Sequence, residues 1–550
     1  MHKLLLFLLF LLPIQSYAQV TFPNSDAIEL SELTLCNGSY RSIDCVEVVL
    51  NDDSRSGLMA SVVEGAAIEN CPASKYFGAN YSVPVNNPSA PRVTTPAALL
   101  AEIATWSGGG NVVYVQDGNR GSGWDITIPA SASGTVNNPN FILSETIWGA
   151  EFANGAKWTI DNVDHLVVAG FERSGGAGFQ PVGGSTFIRW ACNKNDHGGA
   201  STYENFLMGD ASANPPYVYD IEIDNNLDNN MGALWYRNPQ CSYFNYPGGG
   251  SACTGTNQRH YLHDNEFYDR DSGIPQQASS ATLEYAFYTG IGWSHSDNLQ
   301  RYPDPNKHAT EQKIIFENNT FRWRAPRFGA TDIKSSGNIF RFNCSIDAGD
   351  PYRVRQGDDN LAYGNWIMGG GIKNDSSNGR GNIKAFNYYA QGNNSNPAIL
   401  IIKTLAESSG FYAGYVLAYE GNDNVWAYNV YNRYNKFIQW AGLSGAWSEP
   451  FGSLPTDTTE RNEIVGNKIY TSQSVTHYEV ILPSGNDINE TQFQTLNPLW
   501  NKTSNIVDTT ERDASVACFT PGVVNGVQSN YTTHQYINGG AQTLTPPSWW

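Results

Sequence analysis

Two cations, Lys334 and Arg355, stand 21 residues apart in a stretch rich in basic side chains. From Arg322 to Arg355 the chain carries seven of them (Arg322, Arg324, Arg327, Lys334, Arg341, Arg353 and Arg355) against three acids, Asp332, Asp347 and Asp350. The whole chain has a formal net charge of -19. A cationic island on so acidic a protein points to a particular anionic ligand rather than to general stickiness. A lysine held beside other cations loses its proton more easily, which is how a lysine becomes a general base. A solvated basic face without chemistry fits the same charge pattern, so the pattern leaves both readings open.

The elements that position these cations show in a repeat. Five segments share the pattern Asn, four residues, Asn, and they begin at Asn338, Asn360, Asn382, Asn424 and Asn462. Their starts differ by 22, 22, 42 and 38 residues, the last two close to twice the unit. Looser relatives lie upstream at 219–226, 260–267 and 313–321. Within each segment an apolar residue alternates with a variable one, as in a strand with one buried face. Each unit then forms one coil of a right-handed parallel β-helix, its strands stacked about 4.8 Å apart. Asparagine recurring at one turn position forms a side-chain ladder and tolerates left-handed backbone. A propeller or sandwich with Asn-rich turns is the competing architecture, but propeller blades run to about 40–50 residues. On the β-helix reading Lys334 and Arg355 lie almost one coil apart on neighbouring strands. Ile333 and Val354 point inward, and Asp332 and Arg353 share the outer face with the two cations.

The rest of the chain fits an exported all-β protein. Residues 1–18 have a Lys, an apolar run from Leu4 to Leu12 and a small-residue end at Ala18, the pattern of a cleaved secretory signal. The expected location is therefore secreted or periplasmic. No later stretch reaches the roughly 20 apolar residues that a membrane span needs. Residues 19–92 form a poorly patterned leader, an accessory or capping region. Thr95-Pro96 followed by AALLAEIATW reads as an N-cap, a Pro at the first helical position and a short helix that caps the first strand of the stack. The catalytic β-helix is expected over 93–480 and a C-terminal cap or tail over 481–550. Eight Cys in an exported chain permit disulfides, and Cys241 with Cys253, flanking a Gly-rich loop, is the expected local bridge. With 33 Lys and Arg against 52 Asp and Glu, a nucleic-acid partner is excluded, because phosphate contacts require a broad basic surface. The oligomeric state is left open.

The segments FENNTF (316–321), IKSSGNIFRFN (333–343) and VRQGDDNLAYGN (354–365) resemble polysaccharide lyase family 6, the parallel β-helix alginate lyases and chondroitinase B. They match that family's ENN-x-F, KS-x-N-x-x-R-x-N and LRHG-N-x-x-x-x-GN in order and spacing. RHYLHDNEF and EYAFYTGIGWS are looser matches upstream. The resemblance implies a lyase that cleaves an anionic, uronate-containing polysaccharide, alginate first, by β-elimination. It implies that Lys334 is the base for the C5 proton and Arg355 the acid toward the glycosidic oxygen. The family commonly neutralises the substrate carboxylate with Ca²⁺ held by an Asn and two Glu, and here those positions fall at Thr282, Arg327 and Gly329. Such residues do not make the oxygen cage calcium requires, so no metal or other cofactor is expected. Arg327 supplies a replacement, a guanidinium that forks onto the carboxylate; a degenerate site is the other reading. Gln356 stands where the family has a His. Further substrate contacts are Arg324, Arg353, Tyr288 and Arg270.

Two other classes remain beside the lyase. A β-helix glycoside hydrolase requires two carboxylates roughly 5–10 Å apart, for which Asp347 with Asp350 or Asp358 with Asp359 are available. A non-catalytic carbohydrate-binding β-helix requires neither pair.

Overall fold

Each coil contributes one short strand to each of three parallel sheets, so the computed structural model is a parallel β-helix. It describes residues 87–153, 157–174 and 178–196 throughout, scattered residues before 87, and beyond 196 chiefly the strands with the buried turn residues that join them. Among the described residues the first sheet has 14 strands, the second 13 and the third 12. One coil shows the order. Ile315–Glu317 lies in the first sheet, Thr320–Arg322 in the second and Gly329–Ile333 in the third, and the chain returns to the first at Ile339–Arg341.

Alternation along these strands builds the interior. In the first sheet Trp190, Ile223, Leu262, Phe316, Phe340 and Ala362 follow one another in register, each directly above its predecessor. All six are buried in one continuous hydrophobic cluster. The N-terminal end of this lumen is closed by the helix Pro96–Ile103, whose Leu99 and Ile103 join the same cluster. Thr95 caps the helix by accepting from Ala98 N–H at 3.2 Å. The sequence expectation of a short capping helix is met.

The corner between the first and second sheets is an asparagine ladder. Asn193, Asn226, Asn265, Asn319, Asn343, Asn365, Asn387, Asn429 and Asn467 are all buried and linked each to the next. Asn343 illustrates the rung. Its backbone N–H donates to Asn365 Oδ1 at 2.9 Å, and its Nδ2 donates to the same oxygen at 3.1 Å and to the carbonyl of Phe316 at 3.0 Å. The side chain thereby satisfies backbone groups that a tight corner would otherwise bury unpaired. A second, shorter ladder runs from Asn338 through Asn360 to Asn382 at the corner between the third and first sheets.

The ladder corrects one reading of the repeat. The spacings of 42 and 38 residues are single enlarged coils and not doubled units, because Asn387 bonds directly to Asn429 and Asn429 directly to Asn467. Ile383–Ala385 likewise pairs directly with Val425–Ala427. The extra length of the 42-residue coil includes an antiparallel hairpin, Thr404–Glu407 with Val416–Tyr419. Sequence spacing measures chain length, whereas stacking fixes only where each strand returns. The sheets also run on past residue 480, to Ile506–Asp508.

The outer face of the first sheet carries a second cluster. Tyr114, Phe141, Leu143, Val167, Ala169 and Ala191 point away from the lumen yet are buried, together with Cys71 and Val83 of the leader. A disulfide joins Cys71 to Cys192 across 121 residues. In the chain-entropy account, closing a loop of that length stabilises the fold by about 5 kcal/mol. The expected Cys241–Cys253 bridge lies outside the described residues.

Candidate functional site

The strands Gly329–Ile333 and Arg353–Val354 of the third sheet end immediately before the two cations singled out in the sequence. They pair in parallel with Asp332 opposite Arg353 and Ile333 opposite Val354. One coil below, Tyr288 of the strand Tyr285–Gly290 is in register with Asp332. Tyr288, Asp332 and Arg353 thus occupy one column on three successive strands, which brings together two of the predicted contact residues. Lys334 follows Ile333 and Arg355 follows Val354; both lie outside the described residues, as do Arg270, Thr282, Arg324 and Arg327.

The chain is anchored again on the far side of each cation. Asn338, four residues after Lys334, donates from its backbone N–H to Asn360 Oδ1 at 3.0 Å and from Nδ2 to the same oxygen at 2.9 Å. Asn360 lies five residues after Arg355. The two short segments that carry the cations are therefore bracketed, by the Ile333–Val354 register before them and the Asn338–Asn360 bonds after them. Register and ladder thus fix the described residues on both sides of each segment.

Another part of the cationic island has a different role. Arg341 is buried and donates from Nε to Glu317 Oε2 at 2.7 Å. It is occupied within the protein and does not face an anionic ligand. The three acids counted within the island leave out Glu317, which lies just upstream and is Arg341's partner.

The sequence reading missed an ionic cluster on the outer face of the first sheet. Arg189 forks onto Asp224, with Nε to Oδ1 at 2.8 Å and Nη2 to Oδ2 at 2.6 Å. His263 Nε2 lies 2.9 Å from Glu222 Oε1, and its Nδ1 lies 2.9 Å from Asp264 Oδ2. Both ring nitrogens face carboxylate oxygens, the arrangement of an imidazolium, since a neutral ring has one donor and one acceptor. Ser74 of the leader donates to the remaining oxygen of Glu222. Burial pushes the Glu222 carboxyl up, but the His263 hydrogen bond and the Arg189 charge outweigh it and hold the pKa at about 2. The available signal was charge of alternating sign at outward positions of successive strands, in DIEIDNN (220–226) and HYLHDNEF (260–267). Outward charge normally means solvent, so the pattern alone does not announce burial.

Glu222, Asp224 and His263 bring ligand-type atoms within 4.8 Å of one another. The Arg189 guanidinium already supplies the cation there, so the geometry is that of an ion-pair network and not a metal centre. At the positions where the resemblance implies calcium ligands, the residue types differ as well. Thr282 offers one hydroxyl, Arg327 is itself cationic, and Gly329, within its strand, has no side-chain oxygen. This donor set does not fit a cation that takes six to eight oxygens.

No family model matches the chain, and no curated protein matches it. Solved structures of polysaccharide lyase family 6 are similar to it. A mannuronic-acid-specific family 6 lyase from human gut microbiota is 14% identical, over 77% of this chain and 92% of that one, with a TM-score of 0.45. A family 6 polysaccharide lyase from Pseudopedobacter saltans is 15% identical, over 80% and 96%, with a TM-score of 0.45. The family 6 alginate lyase AlyGC is 14% identical, over 76% of this chain and 51% of that one, with a TM-score of 0.47. At these values the likeness bears on neither substrate nor mechanism, and the parallel β-helix rests on the sheets themselves.

Proposed function

We propose that this protein is an exported polysaccharide lyase that cleaves a uronate-containing polysaccharide, alginate first, by β-elimination. The observation that carries the reading is the bracketing of Lys334 and Arg355. The register Ile333–Val354 precedes them and the Asn338–Asn360 bonds follow them, on adjacent strands. The motif spacing over 316–365 supports the same roles.

In the proposed step the neutral amine of Lys334 takes the C5 proton of the uronate. The released electron pair forms the C4–C5 double bond as the C4–oxygen bond breaks, and Arg355 acts as acid toward the departing oxygen. Removing the C5 proton places further negative charge beside the carboxylate, and stabilising developing charge is commonly the largest contribution to catalysis. Arg327 meets that need as a fork on the carboxylate, and no step passes through calcium. Arg324, Arg353, Tyr288 and Arg270 line the polymer's path in this reading.

Incubation with alginate, pectate and chondroitin, followed by the absorbance of the unsaturated uronate product, tests it. Activity is expected on alginate and should fall by about 10²–10⁴-fold in Lys334→Ala and in Arg355→Ala. Reducing ends without new absorbance would mean a hydrolase, and binding without turnover a carbohydrate-binding module. Full activity in Lys334→Ala would remove the base from the scheme.

A further inference from the structure

We propose that Trp235 is a further substrate-contact residue, which extends the site by an aromatic platform, Trp235 with Tyr288, for the sugar rings of a long polymer. The inference deepens the lyase reading and rests on it. It makes chain length, and not only the uronate carboxylate, a determinant of binding.

Register places the residue. Trp235 of the strand Leu234–Arg237 pairs with Tyr288, Tyr288 with Asp332, and Asp332 with Arg353. The four stand in one column on four successive strands of the third sheet. Alternation assigns the face. Leu234 is in register with Phe206, and Phe206 with Phe179, which is buried in the lumen cluster. Leu234 therefore has the parity of the lumen. Trp235, one position on, has that of the outer face, as Tyr288 does.

The residue types along the column give it a direction. Two aromatics in succession are followed by one acid and one base, whose charges offset one another in register. What the column adds to the cations of the site is thus aromatic. Aromatic residues with a polar N–H or O–H suit a ligand that is apolar on its ring faces and polar at its rim, as a pyranose is. Beyond Arg353 the column continues through Ser376, Leu400 and Gln439 to Glu479, an acid that disfavours an anionic chain. In the other direction it passes Leu207 and reaches the level of Gln180, which is buried and so closes it to a ligand. The stretch between these ends is the one that carries Trp235 and Tyr288.

Three strand spacings separate Trp235 from Arg353, about 14 Å at the usual inter-strand distance. With roughly one sugar unit per level, a tetrasaccharide covers the column from Arg353 to Trp235. The platform then serves sugars remote from the bond that breaks. Binding energy of that kind lowers KM for long chains and leaves kcat nearly as it is.

Kinetics of the full chain on two substrate lengths test the proposal. The polymer that the wild type cleaves is compared with its own trisaccharide, which is too short to cover all four levels. Trp235→Ala should lower kcat/KM on the polymer by about tenfold, through KM, and on the trisaccharide by at most about twofold. Trp235→Phe keeps a flat ring and should recover most of the loss. An equal loss on both lengths would overturn the proposal, because Trp235 would then act through the fold. No loss on either would overturn it as well. If Trp235→Ala fails to fold, Trp235→Leu decides by the same comparison. The lyase reading fails separately, if the wild type releases no unsaturated product from alginate, pectate or chondroitin. Retardation in gels that contain those polymers then decides the platform. Trp235→Ala should weaken it by about tenfold, and unchanged retardation, or none with the wild type, would overturn the proposal.

Discussion

Glu317 Oε2 accepts from Arg341 Nε at 2.7 Å and from Tyr261 Oη at 2.9 Å, on the outer face of the first sheet. Three successive strands, Tyr261–His263, Ile315–Glu317 and Ile339–Arg341, are tied at one carboxylate. All three side chains are buried. This knot lies in the chain immediately around the cationic pair, since Arg341 follows Lys334 by seven residues.

Glu317→Gln should therefore destabilise the protein by about 3–5 kcal/mol, because it leaves the Arg341 guanidinium buried beside an uncharged amide. The double variant Glu317→Gln/Arg341→Met should recover most of that loss. Urea unfolding of the single and double variants measures both, and a cost below about 1 kcal/mol for the single change would show that the pair is hydrated in solution.

The asparagine ladder makes a second prediction. Asn365→Ala removes the acceptor for Asn343 and the donor to the Phe340 carbonyl, leaving buried backbone groups unpaired. A cost of about 3 kcal/mol is expected from orphaned buried polar groups. Asn365→Ala should cost more than alanine at an exposed turn position, and equal denaturation midpoints for the two would contradict the ladder's role.

Acid should weaken the fold in two stages. His260 Nδ1 accepts from Ile221 N–H at 3.1 Å, and burial lowers its pKa from 6.5 to about 3. The unfolded chain then binds this proton and the folded chain does not, so stability falls as pH drops below 6.5. Glu222, lowered from 4.5 to about 2, contributes stability that is present above 4.5 and is lost as pH falls toward 2. Each proton adds a slope of about 1.4 kcal/mol per pH unit within its window. His260→Asn keeps an acceptor for Ile221 and should flatten the limb between 6.5 and 4.5 and roughly halve the slope between 4.5 and 3, where both groups contribute, leaving the Glu222 contribution. Denaturation midpoints against pH read both limbs, and an unchanged upper limb in His260→Asn would assign it to another group.

Lyase activity, once measured, should survive chelation with EDTA. Arg327→Ala should raise KM and lower kcat together, by about tenfold or more in kcat/KM, since a fork on the carboxylate acts before and during proton removal. Complete loss with EDTA that Ca²⁺ restores would sink the arginine-for-calcium reading.

The 22-residue spacing of Asn338, Asn360 and Asn382 was enough to specify stacked coils, because a corner that buries backbone groups needs the same side chain on every level. The helix at Pro96–Ile103 was equally legible, since Thr95 and Pro96 are local signals that act within one turn. The register of Ile333 with Val354 followed from the same spacing. The enlarged coils misled because a hairpin can be inserted between strands without disturbing how they stack.

What the sequence by itself determined is the periodic part: which residues alternate, where corners recur, and that Ile333 and Val354 fall one coil apart. Those features depend on neighbours a few residues away or on a fixed repeat, so they are written along the chain. Tertiary structure alone decided the fate of the outward charges. Arg189, Glu222, Asp224 and Arg341 have the alternation of solvent-facing residues, yet all are buried. The partners that settle this come from distant parts of the chain, as Ser74 meets Glu222 from 148 residues away. No local pattern encodes a contact of that length, because it exists only once the coils have stacked.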